Sequence, residues 1–370
     1  MRQNAIKANT IICVVCVVLF LALSLLPSLG MLITGETQPS ANEILASKPS
    51  VVSRDGELNR KVLNDFSSYI ADRFAFRKDL VSAWSELNAK LFRTSVEEQV
   101  VLGTDGWLFF APTLDDYMGR AMSEEELSLA ASYLAALQRE AESRGVRFYF
   151  TIAPNKNSLY PEHMPSYIPT AHRSSNAEKL KPYLEQFGVN YVDLFAVYAG
   201  VGETLYYRTD SHWTERGAAL AADTLLAAME KDSAFFSAEF RAGEPHRGDL
   251  YEMLYPAGKE REASEICAAG FSYTLSGDPN GGNAMRIRSS CEGRSGTLLC
   301  WRDSFGISLY PYLADSFSEA VFLRSASYDL SQIESTGADT VLIELVERNL
   351  GRLAEAGHKM TESTGENNDA

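Results

Sequence analysis

Apolar residues along this chain keep two rhythms, and the rhythms take turns. Residues 58–92 place Phe66, Tyr69, Ile70, Phe74, Phe76, Leu80, Trp84 and Leu87 at helical spacing, which predicts a helical region. A hairpin is expected over 100–110, where Val100-Val101-Leu102 and Trp107-Leu108-Phe109-Phe110 flank a turn at Gly103-Thr104-Asp105-Gly106. Ser123 and Glu126 have the spacing of a capping box ahead of a long helix to Ser143, closed near Gly145. The short apolar run at 147–153 reads as a buried strand that stops at Pro154-Asn155-Lys156. A helix over 176–187, a strand over 190–194 and a helix over 214–229 follow. Residues 242–296 are rich in Gly, Pro and Ser and predict an irregular excursion with a few short strands. A strand at 297–301, a helix from Phe305 to about Phe317, a strand at 320–323, a helix near Leu330 and a strand at 340–345 complete the series. Strands that alternate with helices imply a mainly parallel sheet covered on both faces, a three-layer α/β/α sandwich.

The first residues depart from this alternation. After Arg2 and Lys7, residues 11–34 read IICVVCVVLFLALSLLPSLGMLIT, without a charge. A span needs roughly 20 apolar residues, so a transmembrane signal anchor is expected over 11–34, with residues 1–10 cytoplasmic and the remainder outside. A cleaved signal peptide is the alternative, although no clean Ala-x-Ala site follows the apolar run. Residues 35–95 then read as a tether and a membrane-proximal helical region, 96–352 as the main domain, and 353–370 as a disordered tail ending TESTGENNDA.

Composition narrows the classes. The chain has 370 residues and a formal charge of −15, which argues against a nucleic-acid partner because phosphate contacts need clustered lysine and arginine. Cys13 and Cys16 lie inside the apolar run. Cys267, Cys291 and Cys300 would face an oxidising compartment, and a Cys267–Cys291 disulfide is the preferred pairing because Cys300 closes a core strand. No spacing suits zinc, so neither a metal nor a cofactor is expected.

Two short segments carry chemistry. Tyr206-Tyr207-Arg208-Thr209-Asp210-Ser211-His212-Trp213-Thr214 puts a carboxylate two residues before an imidazole, just ahead of a helix. A carboxylate beside a histidine fixes its tautomer and stabilises the imidazolium, as a general base next to a serine requires. About ninety residues later, Trp301-Arg302-Asp303-Ser304-Phe305-Gly306 places a serine between an apolar strand and a helix. Ligands of such sheets collect at the carboxyl ends of strands. The Ser304 N–H at the helix start is a candidate oxyanion donor. Taken singly, Asp303 and Ser304 also suit a helix cap, and His212 a packed core histidine.

The chain resembles the DHHW and alginate O-acetyltransferase-like branch of the SGNH-hydrolase superfamily. The resemblance rests on Thr209-Asp210-Ser211-His212-Trp213-Thr214 with Gly217-Ala218, and on Asp303-Ser304-Phe305-Gly306. Gly103-x-Asp105-Gly106-Trp107-Leu108-Phe109, Ala153-Pro154-Asn155-Lys156 with Tyr160-Pro161-Glu162, and Glu347-Arg348 support it. It implies an SGNH-hydrolase-like (flavodoxin-like) fold, with Ser304 as nucleophile, His212 as base and Asp210 as orienting acid. It further implies that Tyr310, six residues after the serine, lines the site. Asn155, Lys156 and Arg302 are the other expected substrate-binding residues. Ser211 stands where the pattern has histidine, Arg302 where many members have glycine, and the second oxyanion donor is unassigned, with Asn155 preferred to Asn283.

The function implied is O-acetyl transfer to a cell-surface or exopolysaccharide acceptor, through an acetyl-serine intermediate. Its implied partner is a membrane-bound O-acyltransferase that supplies acetyl groups, and its place is the extracytoplasmic face of the membrane. A carbohydrate acetylesterase with the same triad, and a non-catalytic polysaccharide-binding or assembly protein, are the alternatives.

Overall fold

The computed structural model describes residues 2–39, 45–52, 56–120, 122–170, 175–276, 283–325 and 327–366. Its contacts divide the chain into two units, 1–97 with 251–259, and 98–250 with 260–370.

The first unit holds α1 (Arg2–Thr34), α2 (Val62–Arg73) and α3 (Arg77–Phe92). The helical region expected over 58–92 is broken in two because Phe76 sits in the left-handed region at φ +64°, which a helix cannot continue through. Ile11, Phe20 and neighbouring apolar side chains of α1 are exposed. Among the described residues, no helix is long and apolar enough to cross a membrane. The transmembrane helix expected over 11–34 is therefore not borne out among those residues.

The second unit begins with the expected hairpin, β1 (Val100–Leu102) and β2 (Leu108–Phe110), paired Val100 to Phe110. Asp105 and Gly106 both have positive φ, and the Trp107 N–H closes on the Thr104 carbonyl at 2.9 Å, so an Asp-Gly turn of the hairpin type sets the register. Next come α4 (Leu114–Tyr117), α5 (Glu124–Ser143), β3 (Arg147–Ala153), α6 (Lys156–Leu159), α7 (Asn176–Phe187), β4 (Tyr191–Val192), α8 (Leu194–Ala199) and α9 (Glu215–Ala228). The strand expected over 190–194 is cut short because Asp193 caps α8, accepting the Phe195 and Ala196 N–H groups. The irregular stretch supplies β5 (Phe240–Ala242), α10 (Asp249–Leu254), of which residues 251–254 count with the first unit, β6 (Glu265–Cys267), β7 (Thr274–Ser276) and β8 (Arg286–Ser290). It is followed by β9 (Thr297–Trp301), α11 (Gly306–Ala314), β10 (Glu319–Leu323), α12 (Gln332–Thr336), β11 (Thr340–Val346) and α13 (Gly351–Glu366).

The main sheet has the order β4-β3-β11-β9-β10-β8-β7. Strands β4 to β10 in that order run parallel, while β8 pairs antiparallel with β10 and β7 antiparallel with β8, so the sheet is mixed. Strand alternation sorts the two faces. Leu298 and Cys300 of β9 join Leu225 of α9 and Leu313 of α11 in one core. Leu299 and Trp301 join Leu134 of α5 and Leu184 of α7 in the other.

Two expectations are corrected here. The tail is not disordered from 353: α13 runs to Glu366, burying Leu353 and Ala354, and a side chain at Gly357 would stand 2.8 Å from the Leu129 carbonyl. The contact is with α5, so tertiary burial offsets the polar composition. No Cys267–Cys291 disulfide forms; Cys267, Cys291 and Cys300 are buried free thiols. Cys267 packs with α9, while the Cys291 thiol lies 3.9 Å from Asp315 Oδ1.

Candidate active site

Strand β9 ends at Trp301, and the serine turn that follows is held from several sides. Asp303 Oδ1 accepts the Phe305 N–H at 2.9 Å and Oδ2 accepts the Val346 N–H at 2.8 Å. The Asp303 N–H itself donates to Glu344 Oε2 at 3.0 Å. These bonds lock the turn to the end of β11, its parallel neighbour. Gly306 is required by close approach, since a Cβ there would stand 2.5 Å from the Arg302 side chain.

The 206–214 loop is closed by a bridge between Tyr206 and Trp213, and Thr214 caps α9 through the Gly217 N–H at 3.1 Å. Tyr206 donates its hydroxyl to the Pro154 carbonyl at 2.6 Å. Glu262 receives the N–H groups of Arg208 and Thr209 at 2.8 and 2.7 Å. Beneath the loop, Lys156 Nζ donates to the carbonyls of Tyr207, Arg208 and Asp210 at 3.0, 2.9 and 2.6 Å, over the faces of Trp107 and Phe109. Burial pushes its pKa down to about 7. Three carbonyl acceptors and two ring faces are nevertheless the surroundings of an ammonium, and the charged form is the one this geometry holds.

These two turns meet. His212 Nδ1 lies 2.7 Å from Asp210 Oδ1, and His212 Nε2 lies 2.9 Å from Ser304 Oγ. With Asp210 ionised, Nδ1 carries the proton and donates it, leaving Nε2 to accept from the serine hydroxyl. The other Asp210 oxygen, Oδ2, accepts from His246 Nε2 at 2.8 Å and from the Asp249 N–H at 2.9 Å. Asp249 in turn accepts the Ser211 hydroxyl at 2.6 Å and N–H at 2.7 Å. Burial works against ionisation of Asp210, but the bonds and charges of His212 and His246 hold its pKa well below the ordinary value. For His212, burial pulls the pKa down, and the Asp210 bond and charge, helped by Asp249, outweigh it and leave it raised. Asp249 is raised by burial and by the nearby Asp210 charge.

Ser304 opens into a cleft of about 460 Å³, lined also by Phe110, Asp303, Tyr328 and Glu344 and by Arg302, Arg324, Arg348 and Arg352. Burial, reinforced by the charge of Asp303, raises the Glu344 carboxyl well above its usual range. The lining is therefore cationic in a chain of formal charge −15. Arg348 lies over the rings of Phe110 and Phe305, at 5.3 and 5.6 Å.

Of the residues expected from sequence, the structure brings together Asp210, His212 and Ser304, and places Arg302 on the cleft. The Arg302 guanidinium is turned to structural use, donating to the Asp303 and Ala284 carbonyls at 3.1 and 3.0 Å. Lys156 is buried under the acid's loop rather than facing the cleft, a correction whose cause is the three carbonyls it satisfies. Tyr310 is also corrected: it is buried against Phe322 and Tyr273, since that side of α11 faces the sheet. The carboxamide of Asn155 is buried without a hydrogen-bond partner and lines a separate small void with Ser211 and Arg348. Asn283 is exposed and lies outside the cleft lining. Sequence reasoning missed His246, Asp249 and Glu262, which lie in the irregular stretch. The cluster His246-Arg247-Gly248-Asp249 was their one signal.

Among the described residues, Asp210, His212 and Asp249 form the group whose ligand atoms converge as a metal site would need, within 4.8 Å. Those atoms are already engaged with one another, with Ser211 and with His246, which leaves no open ligand set.

Residues 100–267 match the family model of the SGNH hydrolase-like domain, acetyltransferase AlgX, a range that includes Asp210 and His212 and stops short of Ser304. The chain is 29% identical over 205 residues to a probable alginate O-acetylase AlgJ from Pseudomonas aeruginosa, covering 53% of this chain and 51% of that protein. It thus spans about half the length of the curated relatives it matches. Among solved structures, it is similar to Bacillus cereus PatB1, with a TM-score of 0.52 and 18% identity over 68% of this chain and 95% of that one. A DHHW family protein from Eubacterium siraeum is similar at a TM-score of 0.50 and 18% identity, over 70% and 98%. The chain therefore has an SGNH hydrolase-like α/β fold built on a mixed sheet, and residues 100–267 are similar in sequence to the SGNH hydrolase-like domain.

Proposed function

We propose that this chain is a serine-dependent O-acetyltransferase that modifies a polysaccharide. The observation that carries the reading is the continuous hydrogen-bonded line from Asp210 through His212 to Ser304, opening on a cleft. Ser304 Oγ attacks the acetyl carbonyl as its proton passes to His212 Nε2. Asp210 stabilises the imidazolium, and the Ser304 N–H faces the developing oxyanion. The tetrahedral intermediate collapses, and the donor's leaving oxygen takes the proton from His212. A sugar hydroxyl then gives its proton to His212 and attacks the acetyl-serine, and collapse returns the proton to Ser304.

The arginine lining supports an acceptor with anionic groups. The similarity to proteins named alginate O-acetylases supports a polysaccharide. A membrane-bound O-acyltransferase is the proposed acetyl source. Attachment of the chain to the membrane through α1, with the catalytic unit on the extracytoplasmic side, is supported by the uncharged run at 11–34.

The test is acetyl release from 4-nitrophenyl acetate by the full chain and by Ser304→Ala, followed by mass spectrometry of anionic oligosaccharides for an added acetyl group. Release that is lost on substitution, together with acetylated sugar, is the expected result. Release without sugar acetylation points to an acetylesterase. Equal rates in the two folded proteins sink the nucleophile assignment.

A further inference from the structure

The carboxylate of Asp210 serves two histidines. Oδ1 accepts from His212 Nδ1 at 2.7 Å, and Oδ2 accepts from His246 Nε2 at 2.8 Å. The second histidine is built into place. Its ring stacks on Tyr207, with centroids 4.1 Å apart and planes at 24°. Its backbone pairs with Glu262 in both directions, at 2.8 and 2.7 Å. Two residues on, Gly248 lies so close to the acid's loop that a Cβ would stand 2.2 Å from the Thr209 carbonyl. The 246–249 segment is therefore moulded on the 207–210 loop, and its last member gives its N–H to the same Asp210 oxygen.

We propose that His246 is a positioning residue that sets the basicity of His212 through the carboxylate they share. The proposal rests on the assignment of Asp210, His212 and Ser304 made above. An ionised Asp210 can only accept, so His246 Nε2 is the donor and its Nδ1 is the position that gains or loses a proton. The side chain is 33% exposed, so that proton can come from solvent. As a neutral donor, His246 holds Oδ2 and leaves the negative charge of Asp210 to His212. As an imidazolium, it offsets that charge and repels a second proton from His212.

The other charged groups around His246 are Glu262, Asp249 and Glu215, with the Tyr207 ring stacked on it. The carboxylate of Glu262 is occupied by the loop N–H groups, and that of Asp249 by Ser211. Asp210 is left as the direct partner of the His246 ring. The Asp210 bond and charge raise the His246 pKa against the pull of burial, as they do for His212.

Proton NMR of the histidine rings in the full chain, which has five histidines, reads this coupling without catalysis. His246→Gln keeps a donor but cannot charge, and should raise the His212 midpoint by about half a pH unit or more. In the wild type, the His212 and His246 signals should each show two inflections, one from each ring. The acid limb of kcat/KM should move upward with the His212 midpoint in His246→Gln, with the plateau within about threefold. His246→Phe, lacking the donor, should lower the plateau by about tenfold or more. An unchanged His212 midpoint in His246→Gln, with single inflections in the wild type, overturns the proposal. If Ser304→Ala retains full activity while the two rings remain coupled, the nucleophile assignment fails and the shared carboxylate stands.

Discussion

Trp213 donates its indole N–H to the carbonyl oxygen of Phe305 at 3.2 Å, so the residue after the histidine is bonded to the residue after the serine. The rings of the same pair meet edge to face, with centroids 5.0 Å apart. This contact sets the spacing between two loops that lie far apart in sequence. Trp213→Phe keeps an aromatic ring and deletes the donor, leaving the Phe305 carbonyl only the bond it makes as the cap of α11. A stability loss of about 1–2 kcal/mol and a roughly tenfold fall in kcat are expected. Denaturant melts and steady-state kinetics on one preparation check both, and an unchanged kcat would show that the loops need no such tie.

The pH dependence follows from the raised His212. Below its pKa the imidazole is charged and cannot take the Ser304 proton, so kcat/KM should rise with pH through a value above the ordinary histidine value of about 6.5. Asp210→Asn removes the bond and charge that do most to raise it, leaving the Asp249 charge against burial and Arg348. The acid limb of that variant should move to lower pH, while its plateau falls by about 10³–10⁴-fold because the tautomer is no longer fixed. A pH–rate profile of both proteins decides, and a limb that moves upward contradicts the assignment.

Arg324, Arg348 and Arg352 line one cleft with Ser304. Changing each to Gln should raise KM for an anionic oligosaccharide by about tenfold, with kcat for 4-nitrophenyl acetate within about threefold. Salt should weaken acceptor binding in the wild type more than in a triple variant. Kinetics at two ionic strengths measure this, and salt-independent KM values would remove charge from acceptor recognition.

Lys156 holds three carbonyls of the loop that carries the acid. Lys156→Met fills similar space and removes the Lys156 donor from the Tyr207 and Asp210 carbonyls, while the Arg208 carbonyl keeps the Leu108 N–H at 2.8 Å. A loss on the order of 3 kcal/mol is expected, since bonds to charged groups are worth about 1.5–3 kcal/mol and orphaned carbonyls add to the cost. Urea unfolding measures it, and a variant as stable as the wild type would mean that the loop is held by its other hydrogen bonds, those to Glu262, Leu108 and Asp249 among them.

Much of this protein could be read from local sequence because local physics produced it. The Asp-Gly turn dictated the 100–110 hairpin, and Ser123 with Glu126 dictated the start of α5 through a capping box that the structure contains. The runs at 147–153, 297–301 and 340–346 are strands because seven or fewer apolar residues between turn signals suit a sheet covered on both faces. Asp210, His212 and Ser304 were legible as candidates because each sits where an element begins or ends. What only tertiary structure decided were the partners of buried polar groups. No periodicity says that Lys156 turns under a loop fifty residues away, that Tyr310 faces the sheet, or that His246 shares the acid of His212. Nor does composition show that a tail rich in polar residues becomes α13 by burying Leu353 against α5. Propensity and turn chemistry act over a few residues and are written in order along the chain. Hydrogen-bond partners and burial are settled only when distant segments compete for the same donor, acceptor or face.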